Sequence, residues 1–297
     1  MSELKLSGMI VKALGGFYYV DLPHGQIECR AKGAFRKEKI SPLVGDLVGV
    51  EMTDDNKGYI VEIHPRKNTL IRPPLANIDH LVLVVSTVDP LPNTLILDKL
   101  IAICEYKHIE PVIAMTKIDL KRADDIIEIY TKAGFNIYTL STETHEGIDV
   151  FKASLGDGIT VFTGNSGVGK SSLLNALDSR FSIKTAEISQ KLGRGKHTTT
   201  HTQLYKITEY GYLADTPGFS TVEVDKFEII MPDQLQHCFR EFEPFIPNCQ
   251  FRGCSHTCEK GCAVLEALDE EKINPSRHTS YVTMYADSKN IKHWEIR

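Results

Sequence analysis

The sequence predicts a multi-domain fold in three parts: a small β-barrel, a layered α/β domain and a short cysteine-rich helical region. Three observations carry this. Five short strand-like runs crowd into the first 68 residues. Strands and helices alternate from residue 79 onward. Five of the seven cysteines fall between Cys238 and Cys262. With 297 residues there is ample chain to bury more than one core.

Bulk properties exclude several classes. The chain is 42% hydrophobic and 25% charged, the composition of a soluble globular protein. Its longest apolar stretch, around Leu81 to Val85, is far too short to span a bilayer, so no membrane partner is expected. The opening Met-Ser-Glu-Leu-Lys lacks the form of a signal peptide, and the expected location is cytoplasmic. Net charge is −5, so any nucleic-acid contact must come from local patches. In a cytoplasmic chain, clustered cysteines favour a metal over disulfides.

The barrel strands are Met9 to Ala13, Phe17 to Val20, Ile27 to Arg30, Leu47 to Glu51 and Tyr59 to Ile63, each bounded by Gly, Pro or Asp turn signals. Five such strands suit a small closed barrel of the OB-fold type. The connection Arg30 to Lys39 carries five basic residues and Phe35. It reads equally as an RNA-facing loop or as a solvated link. Pro65 to Pro74 reads as a linker. Beyond it, Asp79 to Val85 and Pro111 to Met115 are continuous apolar runs, the form of strands buried on both faces. Between them Leu95 to Tyr106 has helical spacing at Leu97, Leu100, Ile101 and Cys104. A helix over Asp124 to Ala133 and a strand over Asn136 to Leu140 continue the alternation. The pattern implies a parallel sheet covered by helices. Gln203 to Ile207 and Gly211 to Ala214 read as a closing hairpin.

The chemistry centres on Gly164-Asn165-Ser166-Gly167-Val168-Gly169-Lys170-Ser171, which fits G-x-x-x-x-G-K-S. The strand-like Ile159 to Phe162 precedes it and a helical segment from Ser172 follows, the context a P-loop requires. Gly164 and Gly169 let the backbone wrap phosphates, with N–H groups pointing inward at a helix N-terminus. Lys170 is placed for the β and γ phosphates, and the Ser171 hydroxyl for Mg²⁺.

Thr116-Lys117-Ile118-Asp119 follows the second buried strand and resembles the guanine-reading N-K-x-D of GTPases. A carboxylate there accepts from guanine N1–H and its exocyclic amine, donors that adenine lacks. The Lys117 stem lies along the base. Ser141-Thr142-Glu143 loosely matches the loop that backs the base. Asp215-Thr216-Pro217-Gly218 matches D-x-x-G, in which the Asp holds Mg²⁺ through water and the Gly N–H meets the γ-phosphate. Gly193 to Thr200 suits a switch loop in which one of Thr198, Thr199 and Thr200 closes on Mg²⁺, with Thr200 carried forward. The usual order of these motifs is rotated, because the base-reading pair comes first. Phe219 stands where a Ras-type enzyme keeps its water-orienting glutamine.

Cys249-x4-Cys254-x-His256-x5-Cys262 supplies three thiolates and one imidazole, a full tetrahedral Zn²⁺ set with no open position. Cys258 is a spare and Cys238 lies outside. Segments Asp233 to Phe242 and Cys262 to Leu268 look helical, and Arg277 to Tyr281 either touches RNA or finishes the fold.

Together these motifs resemble one family across nearly the full chain, the bacterial circularly permuted RsgA GTPases. The resemblance implies an N-terminal OB-fold β-barrel for RNA (1–68), a central α/β P-loop GTPase domain, circularly permuted (69–225), and a C-terminal helical zinc-binding domain (226–297). It implies one Zn²⁺ per chain and Mg²⁺ with GTP. It implies a GTPase of late 30S ribosomal-subunit maturation, stimulated by that particle and touching its 16S rRNA. A monomer is expected. The histidine ahead of the switch threonines, a candidate for assisting the catalytic water, maps to His197, alongside Lys170 and Gly218. Two rival readings are an RNA-binding scaffold that uses GTP only as an occupancy signal, and an ATP-dependent enzyme, which Asp119 opposes.

Overall fold

The computed structural model describes residues 5–37, 40–53, 55–71, 73–181, 202–209, 211–215 and 229–289. Strands β1 (Lys5–Leu14), β2 (Phe17–Leu22), β3 (Gly25–Ala31), β4 (Leu47–Met52) and β5 (Gly58–Ile63) close into a barrel in the order β1-β2-β3-β5-β4. All five expected strands form. Alternation puts Ile10, Val20, Cys29, Val48, Val50 and Ile60 inside, each essentially inaccessible. Pairing is antiparallel except for β3 with β5, which is parallel.

The basic connection after β3 is only partly a loop, since it carries the short helix α1 (Ala34–Lys37). Two of its cations are already engaged. Lys32 pairs with Glu51 at 2.5 Å, and Arg30 lies over the Phe17 ring.

A short β-ladder, β6 (Thr69–Leu70) with β7 (Leu75–Ala76), occupies the expected linker. The main sheet has the order β10-β9-β8-β11-β13-β12, from β8 (Ile78–Ser86), β9 (Glu110–Thr116), β10 (Asn136–Thr139), β11 (Gly158–Thr163), β12 (Leu204–Lys206) and β13 (Gly211–Asp215). β10 runs parallel to β9 and β11 parallel to β13, while β12 closes one edge as the expected antiparallel hairpin. The connecting helices are α2 (Thr94–Tyr106), α3 (Asp124–Lys132), α4 (Ile148–Ser154) and α5 (Lys170–Leu177). The Asn93 side chain caps α2 by accepting from the Ile96 N–H at 3.1 Å. The C-terminal region holds the short helix α6 (Pro232–Leu235), 3₁₀ turns over Gln236–Cys238, Arg240–Phe242 and Ile246–Asn248, then α7 (Ala263–Asp269) and α8 (Pro275–Lys289). The sequence suggests one helix over Asp233 to Phe242, whereas the structure breaks it into α6 and two 3₁₀ turns. Phe239 and Phe242 are thereby turned inward to stack with ring centroids 5.2 Å apart.

Contacts divide the chain into two compact units. One comprises Met1–His80, Leu155–Phe162 and Asp178–Phe219, and the other Leu81–Ser154, Thr163–Leu177 and Ser220–Arg297. The first unit joins the barrel to the hairpin. Tyr212 donates its hydroxyl to Asp21 Oδ2 at 2.7 Å, and Lys206 pairs with the same carboxylate at 3.2 Å. Asp46, fully buried, is held by Arg66 through Nε at 2.7 Å and Nη2 at 2.8 Å, partners that a buried carboxylate requires. No helix among the described residues is long and apolar enough to cross a membrane.

Candidate functional site

Within the second unit the P-loop leaves β11 at Thr163 and enters α5 at Lys170. Two of its glycines answer different demands. A side chain on Gly164 would put its Cβ 2.6 Å from the Val84 carbonyl, so the loop can pass close over β8 only without one. Gly169 has φ +91°, a conformation that a side chain strains. Val168 is buried beneath the loop, whereas Ser166, Gly167, Ser171 and Ser172 are exposed, and Asn165, Gly169 and Lys170 are half-buried. The loop is therefore open to solvent at Ser166 and Gly167 while its apolar plug is not.

Thr116 ends β9, almost fully buried, with its hydroxyl 2.5 Å from the Val168 carbonyl and 3.1 Å from the Val85 carbonyl. A hydroxyl has one proton, and the nearer acceptor takes it. The turn that bears Thr116 is thus tied to the P-loop backbone. Lys117 adopts φ +61° and reaches the Asp89 carbonyl with Nζ at 2.9 Å, and its own carbonyl accepts from the Thr87 hydroxyl at 2.8 Å. Asp119 is exposed and takes no hydrogen bond among the described residues, so its acceptors are free for a ligand. Ser141 is buried after β10, where its hydroxyl accepts from the Thr144 N–H at 3.1 Å, and Thr142 is half-buried beside it. The structure thus brings Thr116, the P-loop and Lys117 into one bonded assembly. In the first unit Asp215 ends β13, in register with Phe162 of β11. His197, Thr200 and Gly218, with Thr198, Thr199, Thr216 and Phe219, lie outside the described residues.

In the C-terminal region Cys249, Cys254, His256 and Cys262 offer ligand atoms all within 4.8 Å of one another. Sγ of Cys249 lies 3.9 Å from Sγ of Cys262, and His256 Nδ1 lies 3.6 and 3.4 Å from the same two sulfurs. Tetrahedral zinc with bonds of about 2.3 Å to sulfur and 2.0 Å to nitrogen needs edges of about 3.8 and 3.5 Å. The donor set fits that ion. The loop bends through Gly253 (φ +73°), His256 (φ +57°) and Gly261 (φ +71°), and Cys262 is the N-cap of α7. The imidazole is oriented from behind. Gln236 Oε1 stands 2.8 Å from His256 Nε2 and can only accept, so Nε2 carries the proton and Nδ1 presents a lone pair. Burial pushes the Cys254 thiol up to about 12, with the Cys262 and Cys249 sulfurs adding to it, and burial holds the His256 imidazole neutral. Burial raises the Cys262 thiol as well, and a cation among the donors would favour the thiolates. Cys258 is exposed and stands apart from the four. Glu259 serves the loop rather than a metal. Burial opposes its charge, but hydrogen bonds from the Ser255 hydroxyl and the Cys258 and Ser255 N–H groups hold it at about 2.

Sequence reasoning missed a second cluster here. Arg277 is buried in α8 with Nη1 2.6 Å from Asp98 Oδ1 of α2, and Nε and Nη2 2.6 and 3.2 Å from the Glu241 carboxylate. The Tyr130 hydroxyl donates to the same Asp98 oxygen at 2.8 Å. Burial pushes the Asp98 carboxyl up, and the guanidinium opposes that shift. His278 donates from Nε2 to the His256 carbonyl at 2.8 Å, and Tyr281 donates to the Ser255 carbonyl at 2.9 Å. The stretch Arg277 to Tyr281 therefore finishes the fold. Gln236 also went unread, because nothing in the sequence marks a glutamine 13 residues ahead of Cys249.

Comparison with known proteins agrees with this architecture. The family model RsgA GTPase matches residues 63–225, and RsgA N-terminal domain matches residues 7–60. The chain is 44% identical to the small ribosomal subunit biogenesis GTPase RsgA of Caldanaerobacter subterraneus subsp. tengcongensis, over 96% of each. It is 46% identical to the corresponding RsgA 2 of Oceanobacillus iheyensis, covering 96% of this chain and 98% of that one. Two solved structures superpose with a TM-score of 0.81. YjeQ from Thermotoga maritima is 33% identical over 97% of this chain and all of its own. YloQ, a circularly permuted GTPase, is 35% identical over 97% of this chain and 96% of its own. The chain belongs to the RsgA GTPase family and is a GTP hydrolase with a permuted domain.

Proposed function

We propose that this RsgA-family chain binds the small ribosomal subunit in the cytoplasm as a monomer, acts in the subunit's late maturation, and hydrolyses GTP faster when docked there. The names of its relatives support the assignment to subunit biogenesis. The observation that carries the nucleotide reading is the tie from Thr116 to the Val168 carbonyl, with the free Asp119 carboxylate in the same turn. A guanine read by Asp119 then sits in fixed relation to the phosphate cradle. Lys117 flanks the base, and Ser141 and Thr142 back it. The backbone from Gly164 to Gly169 and Lys170 hold the phosphates, with Ser172 closing the first helical turn. Ser171, Thr200 and Asp215 would hold Mg²⁺, which neutralises phosphate charge. Gly218 would meet the γ-phosphate. The four C-terminal ligands would hold one Zn²⁺ as structure rather than as catalyst. In functional terms, residues 1–68 face RNA, 69–225 turn over GTP, and 226–297 carry the zinc.

The water-activating group is assigned to His197, since Phe219 has no polar atom to orient water. A neutral imidazole accepts a proton near pH 7. The test is single-turnover GTP hydrolysis with and without saturating small subunits. Subunits should accelerate the native chain. His197→Ala should bind GTP and subunits normally yet lose most of that acceleration, whereas Lys170→Ala should already fail at nucleotide binding. Equal acceleration of His197→Ala would move the role to a group supplied by the ribosome. No acceleration of the native chain would remove the subunit as activator.

A further inference from the structure

The outer face of the barrel carries a pocket that none of the motifs absorbs. Registers place its members. Tyr18 pairs with Cys29, and Cys29 with Gly58, and Cys29 and Gly58 are buried. The neighbouring residues therefore point the other way. Arg30 pairs with Tyr59 across β3 and β5, and Phe17 precedes Tyr18 on β2. Phe17, Arg30 and Tyr59 thus form one outward row across three adjacent strands. The Arg30 guanidinium lies 4.6 Å from the Phe17 ring centroid. Tyr59 is 45% exposed, unusual for so large a ring on a strand. The row, with Glu28 and the turn that bears Thr53, Asp55 and Lys57, lines an open pocket of about 320 Å³, at the small end of ligand pockets.

We infer that this cavity is a seat for one unpaired RNA base, stacked against Tyr59 and the Phe17–Arg30 pair. The planes suit a π-face, since aromatic rings and a guanidinium both stack on bases without regard to sequence. The charge argues for the base rather than a phosphate. Lys57 pairs with Glu28 at 3.2 Å, which leaves the rim near neutral. Arg30 and Asp55, of opposite sign, complete a lining with no net formal charge. A duplex is disfavoured, because its bases are stacked on one another and cannot enter a side-chain slot. The inference deepens the RNA-facing reading of residues 1–68 and rests on it. It also moves the contact off the connection that contains Phe35 and onto the strands.

The test uses the full chain and a short single-stranded RNA with 2-aminopurine at its centre, a base whose fluorescence falls on stacking. Binding should quench it. Tyr59→Ala should raise the dissociation constant by about fivefold to a hundredfold and abolish the quench. Tyr59→Phe should keep both, as should basal GTP hydrolysis in either variant. Excess double-stranded RNA should compete poorly. Absence of quench with the native chain, or native affinity and quench in Tyr59→Ala, overturns the inference. So does a Tyr59→Ala chain that binds this RNA normally but binds small subunits weakly, which points to a protein partner. Because the RNA is free of ribosomes, these outcomes are distinct from failure of subunit stimulation.

Discussion

The sulfur–imidazole knuckle at residues 249–262 and the ionic cluster around Arg277 lie in the same unit and meet the same difficulty in opposite ways. Each gathers groups that are costly to bury as charges. The cluster contains its own cation: Arg277 sits between the Asp98 and Glu241 carboxylates, and all three side chains are nearly inaccessible. The four donors of the knuckle include none, and their spacing suits a zinc ion. One device holds its cation within the chain, and the other presents donors suited to a cation from outside. The nucleotide site repeats the contrast. The Thr116 hydroxyl is satisfied by the chain itself at 2.5 Å, whereas Asp119, proposed to read the base, is exposed.

The largest effect should come from removing the outside partner. Structural zinc in small domains contributes about 10 kcal/mol or more of folding free energy. Cys262→Ser should release the ion and raise hydrogen exchange throughout α7 and α8, read by metal analysis and by exchange of those amides. Cys258→Ser should change neither. Loss of metal in Cys258→Ser with retention in Cys262→Ser would exchange their roles.

Next should be the self-contained cluster. Arg277→Met strands two buried carboxylates and should cost about 3–5 kcal/mol. The opening free energy of α8 amides should fall by that amount, with zinc still bound. Replacing Asp98, Glu241 and Arg277 together by apolar residues should recover much of the loss, because no charge is then left unpaired. If the triple replacement is as unstable as the single one, the cost lies in packing rather than in charge.

A third test breaks the open half of the nucleotide site. Asp119→Asn exchanges a charged acceptor for an amide and should weaken GTP by about 2–3 kcal/mol, roughly a hundredfold, while xanthine nucleotide gains. Unchanged preference for GTP in equilibrium titrations would show that the base is read elsewhere.

What was legible divides along the same line. Groups that wait for a ligand cluster in sequence or follow a motif, because the ligand's geometry dictates their spacing. The motif from Gly164 to Ser171, the turn that bears Asp119 and the four donors that the structure gathers within 4.8 Å stand out in sequence for that reason. The barrel strands were legible through period-two alternation, and α2 through Leu97, Leu100, Ile101 and Cys104. Groups that satisfy each other have no such constraint. Asp98 and Arg277 are 179 residues apart, and in sequence Asp98 looks like an ordinary polar position on a helix. Gln236 is hidden for the same reason, being fixed by the tertiary path of the 3₁₀ turns. The break in the helix expected from Asp233 onward was illegible too, since the stacking that turns Phe239 and Phe242 inward is a tertiary demand.

The smallest effect should separate the two halves of the nucleotide site. Thr116→Val keeps the shape of the side chain and removes the proton that binds the Val168 carbonyl. The chain loses one neutral hydrogen bond, about 1 kcal/mol, or roughly fivefold in affinity. Because the bond holds the P-loop and touches no base, the loss should be equal for guanosine and inosine nucleotides. Inosine lacks the exocyclic amine that the proposal assigns to Asp119, so the ratio of the two affinities tests that assignment. Thr116→Ser retains the hydroxyl and should restore affinity for both. The comparison thus predicts a uniform loss from Thr116 and a selective one from Asp119, measured in the same pair of titrations. A Thr116→Val chain that binds both nucleotides as the native chain does would mean that the P-loop is held without this bond. A loss confined to guanosine would mean that Thr116 reaches the base reading through Lys117 and Asp119.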